Sequence, residues 1–579
     1  MTRLARLQQV TWALSSVLFG IICLFPTIAM RVDPSTEFHG IEMQATDAEY
    51  HYVARVREVM DGSRKTSNVF YAGNKDQPYL QPALPEIVIA SLGSFLGIDA
   101  ARAYLVAQFL FGAMVFAVMV GCFLALTGRY WWSLFGVAAY AFAGFMYSGP
   151  TTLWKIIAGT QGTLEFLTFT RTVNPGWSAT LFFGALWAFS VWLRSRSRKA
   201  LMVTWILTVL SFYSYIYVWT LLGTIYAVIG LREVSLKHWV RVKELAALAF
   251  GLVIGFLPYG WNMWHAAHHP LYAETSMRFG LIMNRQPVFG LATSALIVLV
   301  IVCWKKLGQM AWLVAAFAMA AVVVQNQQLI TGRAIVIAHY HWYFIKPFTM
   351  ILGTILVGSF VYDRWGRRHL SKIEPIWFVA PAIIVLAAIG VLYQYRSYQA
   401  ALPFWREQQK TAGVLRYLRD HTRPGDVTYA TGFVRDLIPI YTSGDVYWAI
   451  NAYSYLSSDE RARDAYFFDL WLAGVSAGEA EKTFPTSRRE ELSSRIHAIY
   501  YREAAHSFGA IPDDEVRRHV EAYRAFLAEP DEQKIGTYPL TYVVFASSDS
   551  TTPAASWLRA HSDEVYHDDA FETRRLRLK

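Results

Sequence analysis

Long apolar blocks recur in this sequence from near its first residue to about residue 394, and they limit its fold more than any other feature. Of its 579 residues, 54% are hydrophobic and only 17% are charged, which is too apolar for a soluble protein of this length. A helix that crosses a bilayer needs roughly 20 mostly apolar residues. By that rule we predict about eleven transmembrane helices. They lie near residues 9–30, 101–127, 131–149, 177–193, 200–214, 216–231, 244–260, 288–304, 310–325, 342–362 and 376–394.

The first apolar block is too long for a signal-peptide core and lacks a convincing cleavage site, so we expect it to remain as an anchor. The cationic residues collect in alternate loops. They are Arg3 and Arg6; Arg129; the run from Arg194 to Lys199; Arg232, Lys237, Arg241 and Lys243; Lys305 and Lys306; and Arg364, Arg367, Arg368 and Lys372.

This alternation predicts a cytoplasmic N-terminus and, after an odd number of spans, an exported region following Tyr395. We therefore expect a multi-pass protein of the cell (plasma) membrane. The alternation also explains most of the net charge of +10, so we predict membrane lipids and no nucleic acid as partners.

Charge density rises after residue 394, which divides the chain into a transmembrane module (residues 1–394) and a soluble region (residues 395–579). Helical patterns such as GVLRYLRDH and RREELSSRIHAIYYREA alternate there with the strand candidates VTYAT, TYVVFAS and RRLRL. We predict a small α/β domain outside the membrane. The three cysteines, Cys23, Cys122 and Cys303, all fall within predicted spans, so there is no disulfide framework.

The first outer loop, residues 31–100, contains TDAEYHYVARVREVMDG from Thr46 to Gly62. Thr46 and Glu49 have the spacing of a capping box, which predicts a helix beginning there. Its apolar and polar residues separate into two faces. One carries Tyr52, Val53, Val56, Val59 and Met60, and the other mostly Arg55, Arg57, Glu58 and Asp61. Three further outer loops are rich in functional side chains: residues 150–176, 261–287, and Gln325 to Phe344.

The first predicted span is followed by a large outer loop that contains an acid and then tyrosines, and Pro82 and Pro85 follow later in this loop, in YLQPALPEI. This order resembles the GT-C superfamily of integral-membrane glycosyltransferases. The resemblance covers roughly residues 10 to 390. It implies a GT-C fold and a polyprenol-linked sugar donor used on the outer face of the membrane. In that family the first-loop acid is the catalytic base or a metal ligand, a role that falls here on Asp47, with Glu49 as the second choice.

The chemistry of sugar transfer requires such groups. An acceptor hydroxyl must lose a proton as it attacks the anomeric carbon, and a carboxylate can accept that proton. The leaving phosphate needs a cation. Candidates are Arg333, Arg171 and Arg278, with Arg285 as another cation on the same side. We favour Arg333, because the corresponding loop of relatives approaches the lipid phosphate; the alternative is an interfacial arginine that reaches lipid headgroups.

The oligosaccharyltransferase branch of the superfamily carries an acidic metal-binding motif after its third span and a Trp-Trp-Asp signature in its C-terminal domain. Here the corresponding loop has Glu165 as its only carboxylate, and no such triplet follows residue 395. We therefore predict inverting transfer of a single sugar from a polyprenyl-phosphate donor to a glycan, lipid or protein acceptor. Oligosaccharyltransferase-like transfer from a lipid-linked glycan is one alternative.

Histidines and aromatic residues supply the remaining candidates. His265, His268 and His269, together with Asp47, could hold a divalent metal such as Mg or Mn, although interfacial histidines without a metal are common. We predict substrate contacts from Tyr50, His51, His269, His339 and His341. Four tryptophans could stack on sugar or simply anchor the protein at the interface, namely Trp154, Trp177, Trp261 and Trp264.

Two further classes remain as alternatives, a lipid or solute transporter and a membrane scaffold. Few ionisable residues lie mid-span, where transporters place coupling groups. A glycosyltransferase should instead gather functional charges at the outer interface. We therefore expect the loops that carry Asp47, Arg171, His269 and Arg333 to converge on one cavity there.

Overall fold

The computed structural model describes residues 3–43, 47–147, 149, 151–159, 165–278, 281–283, 285–366, 375–497, 511–547, 549 and 552–577. The helices of the first half are α1 (Arg3–Val32), α2 (Asp47–Met60), α3 (Leu84–Leu96), α4 (Ala100–Thr127), α5 (Tyr130–Ala143), α6 (Thr152–Ala158), α7 (Ser178–Ser195), α8 (Arg198–Phe212), α9 (Ile216–Ser235), α10 (Trp239–Ala267), α11 (Tyr272–Arg278), α12 (Leu291–Leu307) and α13 (Ala311–Gln325). They are followed by α14 (Gln328–Thr331), α15 (Ala338–Tyr340), α16 (Lys346–Val361) and α17 (Ile376–Gln409).

Each predicted span overlaps one of these helices. Within the described residues, seven helical stretches are long and apolar enough to cross a membrane, and the stretch Leu291–Thr331 includes both α12 and α13. The protein is thus a multi-pass helical membrane protein, as the apolar blocks predicted. The boundary proposed after residue 394 lies inside α17, which continues without interruption to Gln409.

Small residues let the membrane helices approach closely. A Cβ at Gly112 of α4 would lie 2.9 Å from Cys23 Sγ of α1, and one at Gly136 of α5 would lie 2.7 Å from a side-chain carbon of Ile355 in α16. Such contacts are typical of helix packing in membranes, where dispersion contacts hold helices together. The ends of α4 follow ordinary capping chemistry: the Asp99 side chain accepts the Arg102 N–H, and Gly128 closes the helix at φ +69°.

The C-terminal region contains α18 (Ala412–His421), α19 (Gly432–Tyr441), α20 (Asp459–Leu472), α21 (Ala477–Thr483), α22 (Arg489–Ile496), α23 (Asp513–Ala528), α24 (Asp531–Gly536) and α25 (Pro553–Ala560). Its strands are β3 (Val427–Ala430), β4 (Asp445–Val446), β5 (Tyr542–Ala546), β6 (Ser562–His567) and β7 (Phe571–Leu576). The short pair β1 (Ile282–Met283) and β2 (Arg333–Ala334) precedes them in the chain.

The five C-terminal strands form one mixed sheet in the order β4-β3-β5-β7-β6. β3 pairs in parallel with β4 and β5, whereas β7 is antiparallel to β5 and β6. β3 and β5 are buried along nearly their whole length, as expected for inner strands with helices packed on them. The predicted α/β domain is confirmed, and each of the three strand candidates lies on a strand. Of the predicted RREELSSRIHAIYYREA helix, the structure describes only the part that ends at Ile496.

Candidate active site

A cavity of about 410 Å³ lies where the loops that carry α2, Arg171, α11 and His339 meet. Its walls come from α2, the segment before α3, the segment before α7, the turn between α8 and α9, α11 and the loop that leads to α16. Asn451 and Ser454 of the C-terminal region complete it. The lining is mixed, with apolar walls and converging polar groups, as is typical of small-molecule sites.

Arg171 is the cation of this cavity. Its Nη1 donates a hydrogen bond to the Tyr343 hydroxyl at 3.2 Å. His339 also lines the cavity, where its ring stacks on that of Tyr343 with centroids 5.4 Å apart. Its Nδ1 shares a hydrogen bond of 2.7 Å with the Tyr215 hydroxyl. A guanidinium, an imidazole and two phenols therefore meet on one wall, and this is a donor set suited to phosphate oxygens.

Buried amides hold the backbone just before Arg171. The Gln108 side chain donates to the Thr170 carbonyl at 2.8 Å. The Gln394 side chain of α17 accepts from the Leu167 N–H at 3.0 Å and donates to the Thr170 hydroxyl at 3.0 Å. Both amides are nearly inaccessible to solvent. Because buried hydrogen bonds are costly to break, the main chain that presents Arg171 is fixed by the membrane helices.

Glu49 lies behind this wall and is only 1% exposed. Its Oε2 accepts the Thr172 N–H at 3.4 Å, and its Oε1 has no hydrogen-bond partner within the described part of the chain. Burial raises the pKa of Glu49, while the positive charge of Arg171 opposes that rise. Glu49 does not line the cavity, so its carboxyl is placed to act on Arg171 and its neighbour rather than on a ligand.

Asp47 is the first residue of α2, where the sequence predicted the helix to begin. Its side chain and Thr46 lie outside the described residues, so the capping box and the predicted base are not described there. Tyr50 is half-buried against α17, where its hydroxyl accepts a hydrogen bond from the Gln408 amide. His51 lines the cavity.

The other predicted cations lie away from the lining. Arg333 is exposed on β2, although Ile335 and Val336 of the same loop reach the cavity. Arg278 is buried against the C-terminal region, where it binds the Ser457 carbonyl and hydroxyl and lies 3.3 Å from an Asp459 carboxylate oxygen. The guanidinium of Arg278 is thus already engaged by protein oxygens.

The three histidines of HAAHHP do not form a metal-ligating group with other His, Cys, Asp or Glu within the described residues. His265 and His268 are exposed beside Trp264, and His269 accepts the Leu271 N–H at 3.3 Å. His341 is half-buried with its ring perpendicular to that of Trp342.

Among the tryptophans, Trp154, Trp261 and Trp264 are 72%, 65% and 52% exposed, as expected of interfacial anchors. Trp177 is different, because it is buried and donates to the Ser214 hydroxyl at 3.0 Å.

Several lining residues were not identified from the sequence. Asn174 donates to the Tyr52 hydroxyl at 2.7 Å, and Tyr215 and Tyr217 line the same wall. The clearest sequence signal for these lining residues was the run SFYSYIYVW. Hydroxyl-bearing residues in this run interrupt a long apolar block at the point where two helices meet. Glu86 is another lining residue that was not identified from the sequence. Its ion-pair partner Arg55 is 1% exposed, although the helical pattern had placed Arg55 on the polar face.

No protein-family model matches this sequence, and no curated protein sequence matches it. Solved structures do resemble the fold. ArnT from Cupriavidus metallidurans in the apo state has a TM-score of 0.47 and 11% identity, covering 96% of this chain and 98% of that one. The same protein bound to undecaprenyl phosphate gives 0.46 and 12%, covering 98% of each chain. The Archaeoglobus fulgidus oligosaccharyltransferase in the apo form gives 0.42 and 10%, covering 92% of this chain and 69% of that one.

Proposed function

We propose that this protein is a membrane glycosyltransferase that moves a sugar from a polyprenyl-phosphate donor to an acceptor at the outer face of the membrane. The observation that carries the proposal is the cavity wall on which Arg171 donates to Tyr343 beside His339. The wall lies at the ends of apolar helices, so a lipid could approach it from the bilayer while its head group meets the polar side chains. The GT-C resemblance in the sequence points to the same class of reaction.

In the proposed reaction the Arg171 guanidinium binds the donor phosphate, with the Tyr343 hydroxyl and the His339 imidazole as further donors. The acceptor oxygen attacks the anomeric carbon, and the bond from that carbon to the phosphate oxygen breaks. The electron pair leaves with the polyprenyl phosphate, whose added charge Arg171 stabilises. A single displacement of this kind inverts the anomeric centre.

The acceptor proton goes to a carboxylate, for which we propose Asp47. Glu49 is the weaker candidate because it is buried behind Arg171 and its pKa is raised by burial, which favours the protonated form. We assign to Glu49 the role of a positioning residue that holds the Arg171–Thr172 segment.

We also propose that the N-terminus is cytoplasmic and that the C-terminal domain is exported, following the distribution of Lys and Arg. This orientation places the cavity on the outer side, where polyprenyl-linked sugars serve as donors in the GT-C superfamily.

Undecaprenyl phosphate, which was bound in one of the similar structures, is a direct probe for the donor site. We expect Arg171→Ala to weaken its binding to the purified protein by about 10- to 100-fold, the usual value of a hydrogen bond to a charged group. Arg102→Ala is the matched control, because Arg102 is a 60% exposed cation at the start of α4. Equal affinity in all three proteins contradicts the proposed donor site.

Asp47→Asn completes the test. We expect it to keep undecaprenyl phosphate binding and to lower sugar transfer from radiolabelled polyprenyl-phosphate sugars by about 10²- to 10⁴-fold, the usual contribution of a general base. The assay is run with and without Mg²⁺ or Mn²⁺, since a metal requirement remains a prediction. Full transfer by this variant would remove Asp47 from the mechanism.

A further inference from the structure

Two histidines and a glutamate come together inside the C-terminal domain, far along the chain from the residues that line the cavity. His497 directly follows α22, whereas Glu515 and His519 lie four residues apart on α23 and so project from the same face of that helix. His497 and His519 are 9% and 6% exposed. The proposed transfer reaction uses none of them.

The distances between their donor atoms match those around a metal ion. The two Nε2 atoms are 3.3 Å apart, and Glu515 Oε1 lies 3.5 Å from Nε2 of His519 and 3.9 Å from Nε2 of His497. Zinc binds imidazole nitrogen and carboxylate oxygen at about 2.0 to 2.2 Å in tetrahedral geometry, which sets neighbouring ligand atoms roughly 3.3 to 3.6 Å apart. A small inward movement of Glu515 is enough to complete the set.

A second observation fixes the direction of one imidazole. The Nδ1 of His497 lies 3.0 Å from Asp459 Oδ2. An imidazole that donates its Nδ1–H to a carboxylate presents the lone pair of Nε2 on its other side. This is the arrangement that supports histidine ligands of zinc. Nε2 of His497 is therefore turned toward His519 and Glu515 as an acceptor.

The charges around the cluster are compatible with a cation. Arg518 binds the other oxygen of Glu515, Oε2, at 2.5 Å and leaves Oε1 facing the histidines. Asp459, the carboxylate beside His497, lies with its Oδ1 3.3 Å from Arg278 Nε of α11. A dication there would meet two imidazole nitrogens and one carboxylate oxygen.

We propose that His497, His519 and Glu515 bind a transition-metal dication, with zinc as the favoured ion, and that Asp459 is the positioning residue of His497. The three side chains fill three positions of a tetrahedral site. The metal clamps α22 and α23 together. Through Asp459 it also strengthens the contact with α11, because the Asp459 N–H donates to Glu274 of that helix at 2.8 Å.

The test uses the purified full-length chain in detergent, stripped of metal with EDTA and titrated with zinc alone. We expect about one tightly bound zinc ion per chain by elemental analysis and a higher melting temperature with zinc than without it. Glu515→Gln and His519→Ala should lose this tight site. Asp459→Asn should weaken zinc binding by about 10- to 100-fold, the usual effect of a residue that orients a ligand.

His567→Ala is the matched control, because His567 is an exposed histidine of the same domain; it should bind zinc as the wild type does. Glu515 is only half-buried, so Glu515→Gln also covers the case in which His519→Ala fails to fold. Zinc affinity and stoichiometry unchanged in Glu515→Gln would overturn the proposal, as would a wild-type chain that retains no zinc.

Discussion

His51 shows how strongly burial at this site can change the pKa of a side chain. Its imidazole is 7% exposed and is enclosed by the rings of Tyr52, Phe70 and Tyr455, with centroids 5.4 to 6.2 Å away. Its Nε2 lies 3.4 Å from Gln81 Oε1, while its buried Nδ1 has no hydrogen-bond partner within the described residues. Burial, and then the charge of Arg55, lowers the pKa of His51 to about 3. The ring is therefore neutral at physiological pH.

This lowered pKa predicts acid sensitivity. The folded pKa is about 3, whereas an unfolded histidine titrates near about 6.5. As the pH falls from about 6.5 toward about 3, the unfolded chain binds a proton that the folded chain does not, so the free energy of unfolding decreases by up to about 1.4 kcal/mol per pH unit. His51→Gln cannot titrate, so its melting temperature should fall less than that of the wild type between pH 7 and pH 5. The exposed His567→Gln should follow the wild type, and a His51→Gln curve parallel to the wild-type curve would contradict the expectation.

At the scale of elements, α2 was located from its amphipathic pattern, and Val53 and Val56 are indeed fully buried. The same pattern was wrong about Arg55, which it placed on the polar face. Arg55 Nε lies 2.6 Å from Glu86 Oε1, and its Nη2 donates to the carbonyls of Gln81 and Pro82. Periodicity describes one helix against one apolar core, whereas α2 is covered on a second side by the YLQPALPEI segment. A sequence pattern does not reveal such a second cover.

The buried Arg55–Glu86 pair should contribute strongly to the free energy of unfolding of the loop of residues 31–100. Both side chains are 1% exposed, so removing one leaves the other charge buried and unpaired. We expect Arg55→Met or Glu86→Met to lower the free energy of unfolding by about 3 to 5 kcal/mol, and the double variant Arg55→Met/Glu86→Met to lose less than the sum of the two. Denaturant unfolding in detergent measures this.

The exposed pair Arg419 and Asp420 is the control for that measurement, since both side chains are 53% exposed. Arg419→Met should cost at most about 1 kcal/mol. Strictly additive losses in the Arg55 and Glu86 variants would mean that the two side chains do not act as a pair.

For the whole molecule, the apolar blocks predicted where the helices lie and the alternating segments predicted the C-terminal sheet, because both signals are local in the sequence. The candidate site was predicted only in part: Arg171, His51 and His339 line the cavity, whereas Arg333, Arg278 and His269 do not. Which residues meet depends on how distant loops pack. For example, Gln394 near the end of the membrane module fixes the backbone before Arg171. Contacts of this kind follow from the tertiary structure and have no periodic signal.

The loop of residues 31–100 also packs directly on the C-terminal sheet. The Val446 N–H on the edge strand β4 donates to the Phe70 carbonyl at 2.9 Å, so loop backbone covers the exposed edge of the sheet. Lys75 of the same loop lies between two carboxylates, 2.9 Å from Glu58 and 2.8 Å from Asp445. A backbone hydrogen bond and the Lys75–Asp445 ion pair thus connect the C-terminal domain to the segment that forms part of the cavity wall, so movements of the two are coupled.

Lys75→Met tests this connection. Burial raises the pKa of both Glu58 and Asp445 and Lys75 opposes the rise, so without the ammonium two partly buried carboxylates face each other unpaired. We expect a loss of about 1 to 3 kcal/mol at this contact, which should speed hydrogen exchange of the β4 amides by roughly 5- to 150-fold while leaving the β5 amides protected. Lys410→Met is the control, since Lys410 is 58% exposed and pairs with the exposed Glu407 on its own side of the contact. Unchanged exchange at Val446 in Lys75→Met would show that the backbone contact at Phe70 holds the sheet edge without the ion pairs.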